Sequence, residues 1–200
     1  MAGIKISQLP SATVPMSGAE LLEVVQSGVS SKVAASAIAN SATAVAYASL
    51  SGRAYIQALS LVDQTGSTSA ATAITFNSGL TGTGISVVSS SRITFAAAGT
   101  YAILPSIQFA NSNTSDHTAT VWFRKNGTDI ANSATIISVP KAADGGVSVF
   151  SIAFYDTVTA GQYIEIMWLP DNTAVSIDYR VAGAIAPAVP SVICPAERIA

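Results

Sequence analysis

Residues 161–169 read GQYIEIMWL, and this stretch decides the fold. Alternate residues of a β-strand point to opposite faces. Ile164, Ile166 and Trp168 then share one face. Tyr163, Met167 and Leu169 share the other, with Glu165 as its one charged member. A strand in a half-solvated antiparallel sheet shows water a polar face. Here both faces are apolar. A chain of 200 residues covers one face with its own core. The second face is therefore expected to meet another copy of the chain. The same parity on residues 147–155 places Val149, Ala153 and Tyr155 in that expected interface.

Working outward, the β pattern runs from Ala54 to the C-terminus. Strands are expected near 54–61, 72–77, 84–88, 92–96, 100–109, 118–125, 129–138, 147–155, 162–169, 174–181 and 189–194. Asn126-Gly127, between Trp122–Lys125 and Thr128–Ile130, is a hairpin signal, since both turn positions favour positive φ. Val175, Ile177, Tyr179 and Val181 alternate with Ser176, Asp178 and Arg180, as in a strand buried on one side. Many short strands with regular turn signals indicate a sandwich, here an all-β, antiparallel jelly roll. Ile93, Phe95, Ile107, Phe109, Phe150, Ile152, Phe154, Ile164, Ile166 and Trp168 are expected to fill its core.

The N-terminal part reads differently. Residues 1–40 form an arm, 41–53 a connector and 54–200 a jelly-roll knob. In the arm, Ile4, Ile6 and Leu9 are followed by Pro10. Leu21–Gln26 reads as a strand, Ser27-Gly28 as a turn and Val29–Val33 as the hairpin partner. A hairpin this small does not stand alone in water. Ile4, Ile6, Leu9, Leu21, Leu22, Val24, Val25, Val29 and Val33 are too many apolar groups for a segment without a core, so the arm is expected to dock on a partner. Residues 35–53 are rich in Ala and Ser, with Ile38, Val45 and Leu50 as a weak stripe. They read as a short helix or connector, with a flexible linker as the alternative.

Composition narrows the function. Charged residues are 10% of the chain and the net charge is −2, so no basic stripe is available for nucleic acid. Val33–Gly52 is uncharged but full of Ser, Asn and Thr, so no spanning helix and no membrane role is expected. The start, MAGIKISQLP, has no apolar core or cleavage site, so no signal peptide is expected. The single Cys194 excludes an internal disulfide framework and fits assembly in a reducing cytoplasm.

Three segments carry a resemblance: ITFAAAGTYAILPSIQFANS (93–112), TATVWFRKNGTDIANSAT (118–135) and TVTAGQYIEIMWLPDNTAVSIDY (157–179). In this order they resemble the jelly-roll heads of complement-globular-head and tumour-necrosis-factor-like proteins, and the bacteriophage versions above all. PSVICPAERI (190–199) is similar to their closing strand. KISQLPSATVPMSGAELLEVVQSGVSSKVAASAIA (5–39) is similar to the attachment arm of phage fibre and head-decoration proteins. The resemblance covers most of the chain apart from roughly residues 41–70. It implies a homotrimer whose knob points outward while the arm grips the particle.

Chemistry is sparse. His117, the only histidine, lies in the polar stretch 111–118 and reads as an exposed loop histidine rather than a catalytic base. One His and one Cys, far apart, do not make a zinc site. Glu20 and Glu23 read as solvated or salt-bridged, and no acid pair suits glycoside hydrolysis. Asp116, Asp129, Asp144, Asp156 and Asp171 sit at loops or strand ends where calcium ligands converge, but match no calcium-loop pattern and read as surface aspartates. No phosphate-binding loop is present, and Asn113-Thr114-Ser115 and Asn126-Gly127-Thr128 match a glycosylation pattern by chance. Trp122, Trp168, Tyr55, Tyr101, Tyr155, Tyr163 and Tyr179 read as core or interface residues, and loops 78–83, 111–117 and 140–147 as the partner-facing ones.

The expected function is therefore non-enzymatic, without cofactor or metal: a virion structural protein assembled in the host cytoplasm. It would be a capsid decoration (cement or head-fibre) homotrimer, docked by its arm on the major capsid protein or another virion protein. The alternative is a short tail fibre whose knob binds a host-surface glycan.

Overall fold

The computed structural model describes residues 21–26, 29–34 and 53–200. It divides into two units, Met1–Gly52 and Arg53–Ala200. In the first, β1 (Leu21–Gln26) pairs antiparallel with β2 (Val29–Ala34), placing Gln26 opposite Val29 and Glu23 opposite Lys32. This is the hairpin read from the sequence. Ile4, Ile6, Leu9, Glu20 and the helix or connector expected before Arg53 lie outside the described residues.

The second unit is all-β. Its chain opens with β3 (Tyr55–Ser60), β4 (Gln64–Thr65), β5 (Thr72–Ala73), β6 (Ile85–Val88) and β7 (Arg92–Phe95). It continues through β8 (Gly99–Ile103), β9 (Ser106–Asn111), β10 (His117–Lys125), β11 (Thr128–Asp129) and β12 (Thr135–Val139). It ends with β13 (Val147–Ser151), β14 (Phe154–Val158), β15 (Tyr163–Pro170), β16 (Val175–Ile177) and β17 (Val192–Arg198). A seven-stranded sheet runs β6–β7–β15–β10, with β11 and β12 on β10 and β5 on β15. An eight-stranded sheet places β17 between β3 and the pair β8 and β9, whose other neighbours are β14 and β13; β16 and β4 extend it beside β9. Every pairing is antiparallel. The chain alternates between sheets: β8–β9 in one, β10–β12 in the other, then β13–β14, β15, and β16–β17. The result is a jelly-roll sandwich.

Several expected strands are broken, each for a local reason. Residues 100–109 split at Leu104-Pro105, because proline cannot donate to the ladder. The partner at 147–155 splits at the same level: Ser151 faces Ser106 and Phe154 faces Ile103, so the breaks match residue for residue and register is kept. Residues 129–138 are interrupted by Asn132, at φ +60°, and by the Ser133 hydroxyl, which donates to the Ile130 carbonyl at 2.8 Å. In the stretch 174–181 only Val175–Ile177 is strand, and Val181 is exposed. The closing strand runs later than expected, to Arg198. Asn126 and Gly127, at φ +48° and +82°, form the expected tight hairpin turn.

The expected core is the observed one. Ile93, Phe95, Ile107, Phe109, Phe150, Ile164, Ile166 and Trp168 are buried, with Ile152 and Phe154 packed against them half-buried. Phe154 stacks on Phe123 across the sandwich, ring centroids 3.9 Å apart and 9° from parallel. Beside this stack Lys125 Nζ pairs with Asp156 at 2.9 Å, joining β10 to β14. Phe123 has no exposed surface, so Phe123→Ala is expected to lower unfolding free energy by about 3–5 kcal/mol. Phe154→Ala should cost less, because part of that ring already meets water. Urea titration of both variants checks the ranking.

One expected loop is not free. Residues 78–83 run along β3: the Tyr55 and Thr83 backbones exchange hydrogen bonds of 2.8 and 2.9 Å, and Leu59 and Ser78 exchange bonds of 2.9 and 3.1 Å. The approach is close enough to demand glycine. A Cβ at Gly79 would lie 2.1 Å from the Gln57 oxygen, and one at Gly82 2.0 Å from the Tyr55 oxygen. The segment thus covers the edge of β3 and hands on to β6 through Gly82 N–H to Ile85 O, at 2.9 Å.

Candidate self-association face

The outer faces of the two sheets differ in charge. On the seven-stranded sheet, the outward residues of β15 are Tyr163, Glu165, Met167 and Leu169. In register beside them on β10 stand Trp122 opposite Met167 and Arg124 opposite Glu165. Trp122 Nε1 and Arg124 Nε both donate to Asp129 Oδ1, at 2.8 and 2.7 Å. The Arg124 bond, then the Trp122 bond, holds the Asp129 carboxyl below its ordinary range. The Ser91 hydroxyl donates to Glu165 at 2.7 Å, and Arg92 lies 4.6 Å above the Tyr163 ring. These charged and polar side chains are paired within the face.

Tyr163, Met167 and Leu169 are the residues of GQYIEIMWL expected in a subunit interface. Met167 is 2% exposed within the single chain, and Tyr163 and Leu169 are half-buried. Trp122 stands in register beside Met167 and Arg92 lies over Tyr163, while Ile136 on the neighbouring β12 is 71% exposed. Val149 and Tyr155 are placed elsewhere. They point outward from the eight-stranded sheet, on the opposite side of the sandwich, and are 61% and 58% exposed. The five residues expected in one interface therefore occupy two opposite faces.

The eight-stranded face is built by strand alternation. Inward positions such as Ile56, Ile103, Ile107 and Cys194 are core. Outward positions are Tyr55, Gln57 and Leu59 on β3; Ile193, Pro195 and Glu197 on β17; Ala102 on β8; Ser106, Gln108 and Ala110 on β9; Val147, Val149 and Ser151 on β13; and Tyr155 and Thr157 on β14. Glu197 is the one charged residue among them. Register joins them into a continuous surface, with Tyr155 beside Ala102, Ala102 beside Glu197 and Glu197 beside Tyr55. A groove of about 490 Å³ opens between Tyr55, Gln57, Leu104, Pro195 and Glu197. The face mixes apolar residues with the uncharged polar Gln57, Ser106, Gln108, Ser151 and Thr157, and a surface this poor in charge is suited to an interaction face.

The titratable groups stay scattered. His117 begins β10 rather than a loop; it is half-buried, with Nδ1 3.1 Å from Asp171 Oδ1. The five aspartates do not converge: Asp116 accepts the Lys141 N–H, Asp144 pairs with Lys141, Asp156 with Lys125, Asp129 with Arg124 and Asp171 with His117. No cluster able to hold a metal occurs among the described residues. Loop 111–117 is stapled by Asn111, whose amide donates to the Ser115, Val139 and Pro140 carbonyls at 2.9–3.1 Å. Loop 140–147 holds a 3-10 turn at Ala142–Asp144. Among the described residues no helix is long and apolar enough to cross a membrane. In the arm, Leu21, Leu22, Val24, Val25, Val29 and Val33 are strand residues of β1 and β2.

Cys194 is buried, and burial pushes its thiol up to about 12 from an ordinary value of 9.0. Above pH 9 the unfolded chain loses this proton while the folded chain keeps it. The folded state then binds more protons, so stability falls as pH rises towards 12. Urea midpoints at about pH 8 and about pH 10.5 should differ for this reason, and the difference should shrink in Cys194→Ala.

No family model matches the chain, and no curated protein matches it. Among solved structures, the knob is similar to murine APRIL at three pH values. At pH 8.5 the identity is 9% and the TM-score 0.47, and at pH 5.0 they are 10% and 0.47. Each match covers 74% of this chain and 99% of the other. The jelly-roll assignment rests on the strand order described above, which belongs to the knob by its own pairings.

Proposed function

We propose that the chain is a non-enzymatic structural protein of a bacteriophage particle. It is a capsid decoration protein, a cement or short head fibre, that assembles as a homotrimer. Its N-terminal arm docks on the major capsid protein or another virion protein. The observation that supports the reading is the eight-stranded outer face, continuous, poor in charge, with exposed Tyr55, Val149 and Tyr155 and Glu197 as its one charge. A surface of that kind is stable when covered, and a second copy of the same chain is the economical cover. The number three and the virion setting come from the resemblance of residues 93–112, 118–135 and 157–179 to phage jelly-roll heads, and of 5–39 to attachment arms.

The mechanism is mechanical. A trimer presents its arm three times, so a weak single contact becomes a strong anchor through effective concentration. Area buried across neighbouring shell subunits then opposes pressure from packaged nucleic acid. Counting copies per particle tests the reading. A number comparable with the shell subunits supports decoration. A number limited to the tail's own symmetry moves the knob to a short tail fibre.

A further inference from the structure

We propose that Asn126 is a latent self-modification site. The folded knob blocks its deamidation, and a chain whose β10–β11 turn is open undergoes it. The inference stands on the turn alone and not on the assembly.

The chemistry needs only water. Asn126-Gly127 is the one Asn-Gly pair of the chain. The Gly127 nitrogen attacks Cγ, the side-chain carbonyl carbon of Asn126. A C–N bond forms there and the Cγ–Nδ2 bond breaks. Nδ2 leaves as ammonia, taking the proton from the Gly127 nitrogen. The product is a five-membered cyclic imide. Water opens it at one carbonyl to give aspartate. Opening at the other gives isoaspartate, in which the main chain runs through Cβ and Cγ. Nothing is oxidised or reduced. Glycine suits the attacking position because no Cβ crowds its nitrogen. Asn126 and Gly127 are both exposed, so burial does not keep water away from them.

The fold withholds the geometry of attack instead. Lys125 pairs with Thr128, so the loop between them is two residues long. Asn126 at φ +48° and Gly127 at φ +82° make it a type I′ turn. The first central residue of such a turn has ψ of roughly +30°. For an L-residue this sets the next nitrogen nearly anti to Cβ about the Cα–C bond. The attack needs the two nearly eclipsed. β15 also holds the side chain that would have to turn. The Tyr163 N–H donates to Asn126 Oδ1 at 3.0 Å, and the Asn126 N–H donates to the Tyr163 carbonyl at 3.1 Å. Asn126 thereby extends the β10–β15 ladder one step past Lys125 and Ile164. Beside it, Lys125 Nζ donates to the Thr157 carbonyl at 3.3 Å and pairs with Asp156. The turn must come off β15 before Gly127 reaches Cγ.

The two products then differ in what the fold accepts. Aspartate leaves the main chain unchanged and keeps an oxygen for the Tyr163 N–H. Isoaspartate adds one main-chain atom inside a two-residue turn. That turn sets the β10–β11 register, with Arg124 opposite Asp129. A chain held unfolded is therefore sorted on refolding: its aspartate form returns to the knob and its isoaspartate form does not.

The test incubates the full chain at mildly alkaline pH, native and in concentrated urea. Mass spectrometry follows the peptide that contains Asn126, and enzymatic carboxyl methylation counts isoaspartate. The urea sample should react at Asn126 about tenfold or more faster, because the folded chain reacts only through its open fraction. Gly127→Ala should slow the reaction in urea, as expected for attack by that nitrogen. Equal rates with and without urea would overturn the proposal, since the turn would then give no protection. After urea is removed, isoaspartate should be depleted from the folded fraction and aspartate retained. Isoaspartate chains that refold to the wild-type melting temperature would overturn the sorting.

Discussion

Tyr155→Asp is expected to leave the knob folded and to convert the assembled protein into monomers. Tyr155 is 58% exposed in the single chain, so the substitution removes little internal packing. In an assembly built on the eight-stranded face, the same position is covered. An aromatic side chain buried there contributes about 1.5–3 kcal/mol, and a carboxylate in its place must be desolvated without a cation, which costs several kcal/mol more. Glu197, two strands away on the same face, adds like-charge repulsion. Each interface of the proposed assembly would take this loss, so weakening of about 100-fold or more per contact is expected. Sedimentation equilibrium and a urea melt of the same sample separate assembly from folding. Met167→Asp supplies the contrast. Met167 is buried in its own chain, so that variant should lose stability of the knob itself. An assembly that survives Tyr155→Asp and dissociates with Leu169→Asp, folding intact, would return the interface to the seven-stranded sheet.

Much of the fold was legible because alternation fixes strand faces. Ile164, Ile166 and Trp168 face the core as read, and so do Phe150 and Phe154 on partner strands in the other sheet. The Asn126-Gly127 turn and the Leu21–Ala34 hairpin were legible because short-range geometry selects their residues. Alternation does not say which sheet a strand joins. Tyr155 and Met167 both point away from the core, and sequence parity alone set them in one interface. The sandwich puts them on opposite sides, because β14 and β15 belong to different sheets. Nor does alternation say what covers an outward side chain. The Trp122–Arg124–Asp129 and Arg92–Tyr163 contacts come from strands distant in sequence. Two signals were present and unread. The glycines at 79 and 82 mark backbone close to backbone. VAGAIAPA, between two strands, marks an exposed segment without polar side chains.

Deleting residues 1–52 is expected to leave a knob that folds and assembles but no longer attaches to particles. Among the described residues, the hydrophobic core lies between Ala54 and Ala196. The cut follows the division of the chain into two compact units at Gly52–Arg53. The removed part holds a two-stranded hairpin, β1 with β2, which is too small to be stable in water unaided. Pairing with a strand of the shell protein is the expected mode, because it would satisfy backbone donors and acceptors of the arm. In the proposed trimer three arms multiply that contact, so the loss on deletion should be far larger than a single hairpin suggests. Binding to stripped capsids, measured by co-sedimentation, should fall to background, while the melting temperature of the knob stays close to that of the full chain. If the truncated protein decorates capsids as fully as the intact chain, the anchor lies in the knob, and the eight-stranded face or the Val181–Ala188 tip becomes the surface that meets the shell.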